Sequence, residues 1–250
     1  MPEQCIVVLS GGLDSATVAA YMKQVHEMEI HAISFDYGQR HSVELINACR
    51  AAQALGCVEH KIISLPKGSE WGPSPLTVKD MSVPHPINPD NLGNEVAATY
   101  VPGRNLIFLS FAFACALTRG ISNIALGVNQ IDYSGYPDCR EDFLNDFEDM
   151  AHDLAACTQP AGMGIHAPVL HKTKVEIVQM AQELKAPLQY TWSCYDPQRT
   201  DVRGFQAHEE HHIIHPDGGI YAACGKCDSC VIRKKAFKEA GVTDPCPYVG

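Results

Sequence analysis

The chain has 250 residues, 46% hydrophobic and 19% charged, which suits one large folded domain with at most a small appendage. Its formal net charge of -10 opposes wide contact with a phosphate backbone, so no direct nucleic-acid partner is expected. The longest apolar-rich stretch, residues 106–117, is too short for the roughly 20 residues of a membrane span, and no basic segment precedes the first apolar run, so a soluble cytoplasmic protein is expected.

Residues 5–9, CIVVL, form a continuous apolar, β-branched run of the kind buried on both faces of a parallel sheet. A glycine turn follows, and Ala16, Ala19, Ala20 and Val25 then recur at helical spacing before a second strand over residues 30–35. The pattern repeats. Val43, Ile46, Cys49, Ala52 and Leu55 make one helical stripe, Gly56 suits a left-handed C-terminal cap, and residues 60–65 form a third strand.

Seven prolines from Pro66 to Pro102, both included, mark an irregular excursion from the sheet. Residues 105–119 are apolar nearly all round, which predicts a buried helix, and residues 124–128 are a fourth strand. Residues 140–156 predict an amphipathic helix with Phe143, Phe147, Met150 and Leu154 on its apolar stripe, and residues 175–184 predict another helix. Strands alternating with helices give an α/β fold, a Rossmann-like parallel sheet with helices on both faces.

In such a sheet ligands bind beyond the carboxyl ends of the strands, where SGGLDS, residues 10–15, must lie. Gly11 and Gly12 let main-chain amides converge on an anion, helped by the positive end of the next helix and the hydroxyls of Ser10 and Ser15. The stretch lacks the GKS/T ending of a nucleoside-triphosphatase loop and the spacing of the dinucleotide fingerprint, which leaves pyrophosphate as its expected guest. SGGLDS resembles the SGGxDS loop of the ATP pyrophosphatases, adenine-nucleotide alpha-hydrolase-like proteins that cleave ATP between its α- and β-phosphates to adenylate a substrate oxygen. The resemblance implies ATP contacts from Leu9 through Ser10, Gly11, Gly12, Leu13, Asp14 and Ser15 to Ala16, Thr17, Val18 and Ala19. It also implies magnesium with the ATP, where Asp14 either contacts the ion or braces the loop.

Eleven cysteines in a long chain, an odd number, argue for metal binding or burial over a disulfide framework. In CGKCDSC, Cys224, Cys227 and Cys230 are regularly spaced, and Cys194 in TWSCY supplies a fourth sulfur for a closed, structural zinc site. The flanking Lys226, Arg233, Lys234 and Lys235 are expected to soften its charge. Residues 1–190 are thus expected to form the nucleotide-binding domain and residues 191–250 the zinc-binding region. Between Cys194 and Cys224 lie 29 residues containing His208, His211, His212 and His215, expected as a solvated insertion, with metal ligation as the alternative.

FDYGQRH (35–41), YVPGRN (100–105), DYSGYPDCR (132–140), HKTK (171–174) and TWSCY (191–195) resemble segments of the 7-cyano-7-deazaguanine synthase family of the queuosine pathway. That resemblance implies conversion of 7-carboxy-7-deazaguanine and ammonia, with ATP, to the nitrile through an adenylate and an amide, releasing AMP and pyrophosphate. It also implies a homodimer. Ser10, Asp14, Ser15, Arg104 and Lys174 are the catalytic candidates, the last two neutralising phosphates or the substrate carboxylate. In DYSGYPDCR, Asp132 or Asp138 can accept the two N–H groups of a guanine-like base, Tyr133 or Tyr136 can stack on it, and Arg140 can pair with the substrate carboxylate. For Asp138 the simpler alternative is a cap for the helix that follows. A tRNA-modifying adenylating enzyme and a non-catalytic zinc-stapled nucleotide-binding module are the competing readings.

Overall fold

The computed structural model describes residues 2–84, 98–129, 136–157, 162–200, 213–215 and 218–249. In chain order the first half runs β1 (Gln4–Val8), α1 (Leu13–Gln24), β2 (Glu29–Asp36), α2 (Val43–Ala54), β3 (Glu59–Ser64) and the single turn α3 (Gly68–Trp71). The second half runs α4 (Arg104–Arg119), β4 (Asn123–Leu126), α5 (Glu141–Ala156), β5 (Gly164–His166), α6 (Lys174–Glu183), β6 (Gln198–Arg199), β7 (Ile213–Ile214), β8 (Ile220–Ala222) and α7 (Asp228–Glu239).

The first five strands form one parallel sheet in the order β3-β2-β1-β4-β5. β1 lies at its centre because its residues are apolar on both faces, and the two-residue period sorts them. Cys5, Val7 and Leu9 enter a core with α1, α2 and α6, whereas Ile6 and Val8 enter the opposite core with α4 and α5. Each fully buried Val, Ile or Leu contributes about 1.5–3 kcal/mol, so reversing that alternation would destroy both layers. From α7, Ala236 and Phe237 reach the first of these cores.

The four expected strands and the expected helices are present, and Gly56, at φ 59°, closes α2 with the paired bonds of a Schellman cap. Two expectations fail. Helix α4 is not buried all round: Leu106 and Phe111 are 45% and 41% exposed, because only its Leu109, Ala112, Phe113 and Ala116 face meets the sheet. On α5 the buried seam is Leu144, Phe147, Ala151 and Ala155, while Met150 and Leu154 point outward, since small alanines allow closer approach to the sheet. β5 and the antiparallel sheet β6-β8-β7 are additions to the expected architecture. Among the described residues no helix is long and apolar enough to cross a membrane.

Candidate functional site

The strand order reverses at β1, which has β2 on one side and β4 on the other, so the carboxyl edges part there and open a crevice. Ser10, Gly11 and Gly12 leave β1 into it, and Gly127 leaves β4 beside them. A Cβ on Gly11 would stand 2.1 Å from the Glu44 carbonyl oxygen, and one on Gly127 would stand 2.5 Å from the Ser15 nitrogen. Gly11 also holds φ 89°. Missing side chains therefore let the bend nest between α2 and the exit of β4.

Within the bend, Ser10 Oγ accepts the Gly12 N–H at 3.1 Å and lies 3.0 Å from Ser15 Oγ, which bonds the Gly12 carbonyl at 3.1 Å. Both expected hydroxyl donors are thus engaged inside the loop. What remains is main chain: the N–H groups of Leu13, Asp14 and Ser15 begin α1 with no carbonyl one turn back to receive them, and these residues line the cavity. Together with the helix dipole they make a site for an anion.

The walls bring residues from distant segments. Lys174 Nζ donates to both Asp14 carboxylate oxygens, at 2.9 and 2.7 Å, in a largely buried pair. It is placed by the first turn of α6, where Thr173 and Glu176 form a reciprocal capping box. Arg104, at the start of α4, donates to the Tyr37 hydroxyl at 3.3 Å and has no carboxylate partner among the described residues. Burial opposes its charge, but the oxygens of Tyr37, Tyr136 and Tyr195 hold it above the ordinary arginine value. Burial in turn pushes the Tyr37 phenol up to about 12. Arg104 is therefore a cation set among neutral aromatic groups, ready for an anionic ligand.

Leu9, Ser10, Gly12, Leu13, Asp14, Ser15, Arg104, Tyr136 and Lys174 line this one cavity, with Gly11 packed against α2. Ala16, Thr17, Val18 and Ala19 instead lie in the buried body of α1, with Thr17 Oγ1 donating to the Leu13 carbonyl, so their side chains stay within the core. Asp138 lies beneath the cavity wall. It caps α4, and not the helix that follows it: its Oδ2 accepts the Asn105 N–H at 2.9 Å. Its Oδ1 is buried with no described partner, and burial raises its carboxyl above the usual value. Arg140 is exposed at the N-cap of α5, outside the described lining, and Asp132 and Tyr133 fall outside the described residues. Sequence reasoning missed Tyr37, His41, Glu44, Trp192, Tyr195 and Arg233, all of which line the cavity. The position of FDYGQRH at the carboxyl end of β2 was the available signal for two of them, Tyr37 and His41.

Cys194, Cys224, Cys227 and Cys230 are buried, with their sulfurs within 4.8 Å of one another. The Cys224–Cys230 separation of 3.9 Å matches the edge of about 3.8 Å that a tetrahedron with bonds near 2.3 Å requires. Backbone N–H groups point at the sulfurs: Cys224 N and Asp196 N donate to Cys194 Sγ at 3.2 and 3.3 Å, and Cys227 N to Cys224 Sγ at 3.3 Å. Such bonds favour thiolates. The distant Cys194 is possible because β6 pairs with β8, Gln198 opposite Ala222, which closes the intervening excursion at its base. His215 bonds Ser42 and packs on Tyr221 away from the cysteines, while His208, His211 and His212 fall outside the described residues.

Arg233 does not face the sulfurs as expected. It is 2% exposed, grips Asp244 through Nε and Nη2 and donates through Nη1 to the Thr191 carbonyl, Thr191 Oγ1 and Ser193 Oγ. Its role is to fasten residues 191–193, whose Trp192 N–H donates to the Gly11 carbonyl at 2.8 Å. One short strand of chain thus ties the cysteine cluster to the glycine bend.

A parallel 3-2-1-4-5 sheet with a glycine bend and open amides at its reversal point defines an adenine-nucleotide alpha-hydrolase-like fold, here with a four-cysteine cluster whose geometry suits a metal ion. The profile of one family, described as "Queuosine biosynthesis protein QueC", matches residues 4–241. The chain is 43% identical to the 7-cyano-7-deazaguanine synthase of Desulfatibacillum aliphaticivorans, over 99% of this chain and 97% of that protein. It is 41% identical to the synthase of the same name from Rhodopirellula baltica, over 97% and 90%. The solved structure of NMN synthetase from Francisella tularensis aligns with 84% of this chain and 72% of its own, at a TM-score of 0.44 and 16% identity. The chain belongs to the QueC family of 7-cyano-7-deazaguanine synthases, ATP-dependent ligases that form carbon–nitrogen bonds.

Proposed function

We propose that the cavity converts 7-carboxy-7-deazaguanine and ammonia to 7-cyano-7-deazaguanine at the cost of two ATP, each yielding AMP and pyrophosphate. In the first half the acid's carboxylate oxygen attacks the α-phosphorus, and ammonia then displaces AMP to give the amide. In the second half the amide oxygen is adenylated and leaves as AMP, producing the nitrile. The observation that carries this reading is the meeting, in one crevice, of open helix-start amides with an arginine that no described carboxylate neutralises.

The open amides of Leu13, Asp14 and Ser15 receive the two departing phosphates and stabilise their growing charge. Arg104 neutralises the α-phosphate or the substrate carboxylate. Lys174 holds Asp14, so this pair acts as the brace that fixes α6 to the loop and lends the rim its positive end. Magnesium accompanies ATP and supplies further charge neutralisation. Tyr136, in the lining, stacks on the face of the guanine-like base, and Asp132, Tyr133 and Asp138, whose unpartnered Oδ1 lies buried beneath the wall, are the further candidates to bind it. Arg140, exposed, serves only a substrate carboxylate that reaches the rim.

In the same reading residues 1–190 carry the nucleotide chemistry and residues 191–250 hold a structural zinc in the four-cysteine cluster, whose closed ligand set leaves no open position for chemistry. A reducing, cytoplasmic setting is supported by eleven free cysteines. The homodimer rests on family resemblance alone. Incubation with ATP, magnesium, ammonium and the deazaguanine acid, followed by mass analysis, tests the reaction: the nitrile is expected, and an amide endpoint would reduce the function to a one-step ligase.

A further inference from the structure

FDYGQRH and the Glu44 just beyond it take no part in the chemistry described so far, yet His41 and Glu44 both line the cavity. Gln39 Oε1 accepts the Tyr37 N–H at 2.9 Å, which turns its amide nitrogen toward the Phe35 carbonyl at 3.0 Å and toward Glu44 Oε1 at 3.1 Å. His41 Nε2 approaches the same Oε1 at 3.4 Å. One carboxylate oxygen is therefore held, while among the described residues Oε2 makes no hydrogen bond. The backbone of the helix start that carries Glu44 is packed directly on Gly11, and Glu44 lines the same cavity as the phosphate-binding bend.

The reaction proposed above, on which this inference rests, needs ammonia at an acyl carbon, but the form that prevails at neutral pH is ammonium, which has no lone pair to attack with. A base must receive its proton inside the cavity. Two described carboxylates line it, Asp14 and Glu44, and both oxygens of Asp14 are taken by Lys174. We propose that Glu44 is the general base that draws ammonium into the cavity and accepts its proton through Oε2.

The step balances. An N–H bond of ammonium breaks as an O–H bond forms on Glu44, the freed lone pair makes the new C–N bond, and the C–O bond to AMP breaks. The nitrogen's second surplus proton departs on the phosphate monoester. Burial pushes the Glu44 carboxyl up to about 7, against the pull of the Gln39 bond and Arg104, which suits a base working near neutrality. His41 is pushed down to about 3 by burial and by Arg104 and Arg40, so it faces Glu44 as a neutral ring that does not compete for the proton.

The test compares Glu44→Gln with the native chain in two reactions: acid-dependent exchange of pyrophosphate into ATP, which needs no ammonia, and turnover with either ammonium or hydroxylamine. Hydroxylamine is a neutral nucleophile at the same pH and needs no base to free its lone pair. The variant is expected to keep exchange and hydroxylamine turnover within about tenfold while ammonium turnover falls about 100- to 10,000-fold. Equal losses with both nucleophiles, or loss of exchange in step with them, would overturn the assignment of Glu44. Absence of exchange in the native chain would instead overturn the proposed reaction itself.

Discussion

The glycine bend and the cysteine cluster solve opposite problems. The bend comes from consecutive residues and keeps donors open to the cavity, its own hydroxyls being used up internally. The cluster comes from residues as far apart as Cys194 and Cys230 and leaves no sulfur open. Open donors make a place for a substrate, whereas a closed set makes a staple. What connects the two is the Trp192 bond to Gly11 and the Arg233 grip on its neighbours, so the staple positions the bend from outside.

Breaking the staple should have the largest effect. With zinc in the cluster as proposed, and structural zinc worth about 10 kcal/mol or more to small metal domains, Cys227→Ser should lose the metal and lower the melting temperature by about 10 °C or more. If the tie through Trp192 works as described, ATP affinity by calorimetry should fall as well; unchanged affinity would separate the two regions. Next comes the bend itself. Gly11→Ala puts a methyl group against the Glu44 carbonyl in a left-handed backbone conformation, and a loss of about 3 kcal/mol or more is expected in denaturant unfolding, with ATP binding lost.

Glu44 offers a subtler contrast, because an active group should sit at some cost to the fold. Its folded carboxyl titrates near 7 against an ordinary 4.5, so the stability available with Glu44 protonated is complete below the ordinary value and is lost as pH rises through about 7. Glu44→Gln should therefore gain stability relative to the native chain between pH 4.5 and 7, by on the order of 2 kcal/mol, and hold that gain above it. His41 tilts the other way, losing stability as pH falls from 6.5 toward 3, but it is common to both chains. The smallest effect belongs to Gly12→Ala. Gly12 is extended and its Cβ would meet the Ser10 hydroxyl at 3.2 Å and the Trp192 carbonyl oxygen at an ordinary 3.7 Å, so less than about 1 kcal/mol is expected. A loss equal to that of Gly11→Ala would mean that backbone packing does not distinguish the two glycines.

The same contrast explains what could be read from the sequence. β1, β2 and β4 were legible because strands largely buried on both faces are written as apolar runs, and the bend because its parts are consecutive. β5, three half-buried residues, and β6 to β8, two or three residues each, have no such run; β6 and β8 exist because pairing closes a long excursion. On α5 the expected stripe shares Phe147 with the true one and elsewhere lies one residue from it, and periodicity cannot weigh Ala151 and Ala155 against Met150 and Leu154 without knowing how closely the sheet approaches. The pairing of Asp14 with Lys174, 160 positions apart, and of Trp192 with Gly11 are products of topology alone.

The most direct measurement is a crystal structure of the chain with a non-hydrolysable ATP analogue and the deazaguanine acid. The β- and γ-phosphates should rest on the amides of Leu13, Asp14 and Ser15, with the acid's carboxylate facing the α-phosphorus beside Arg104. A triphosphate bound elsewhere, with those amides turned to water, would contradict the central claim.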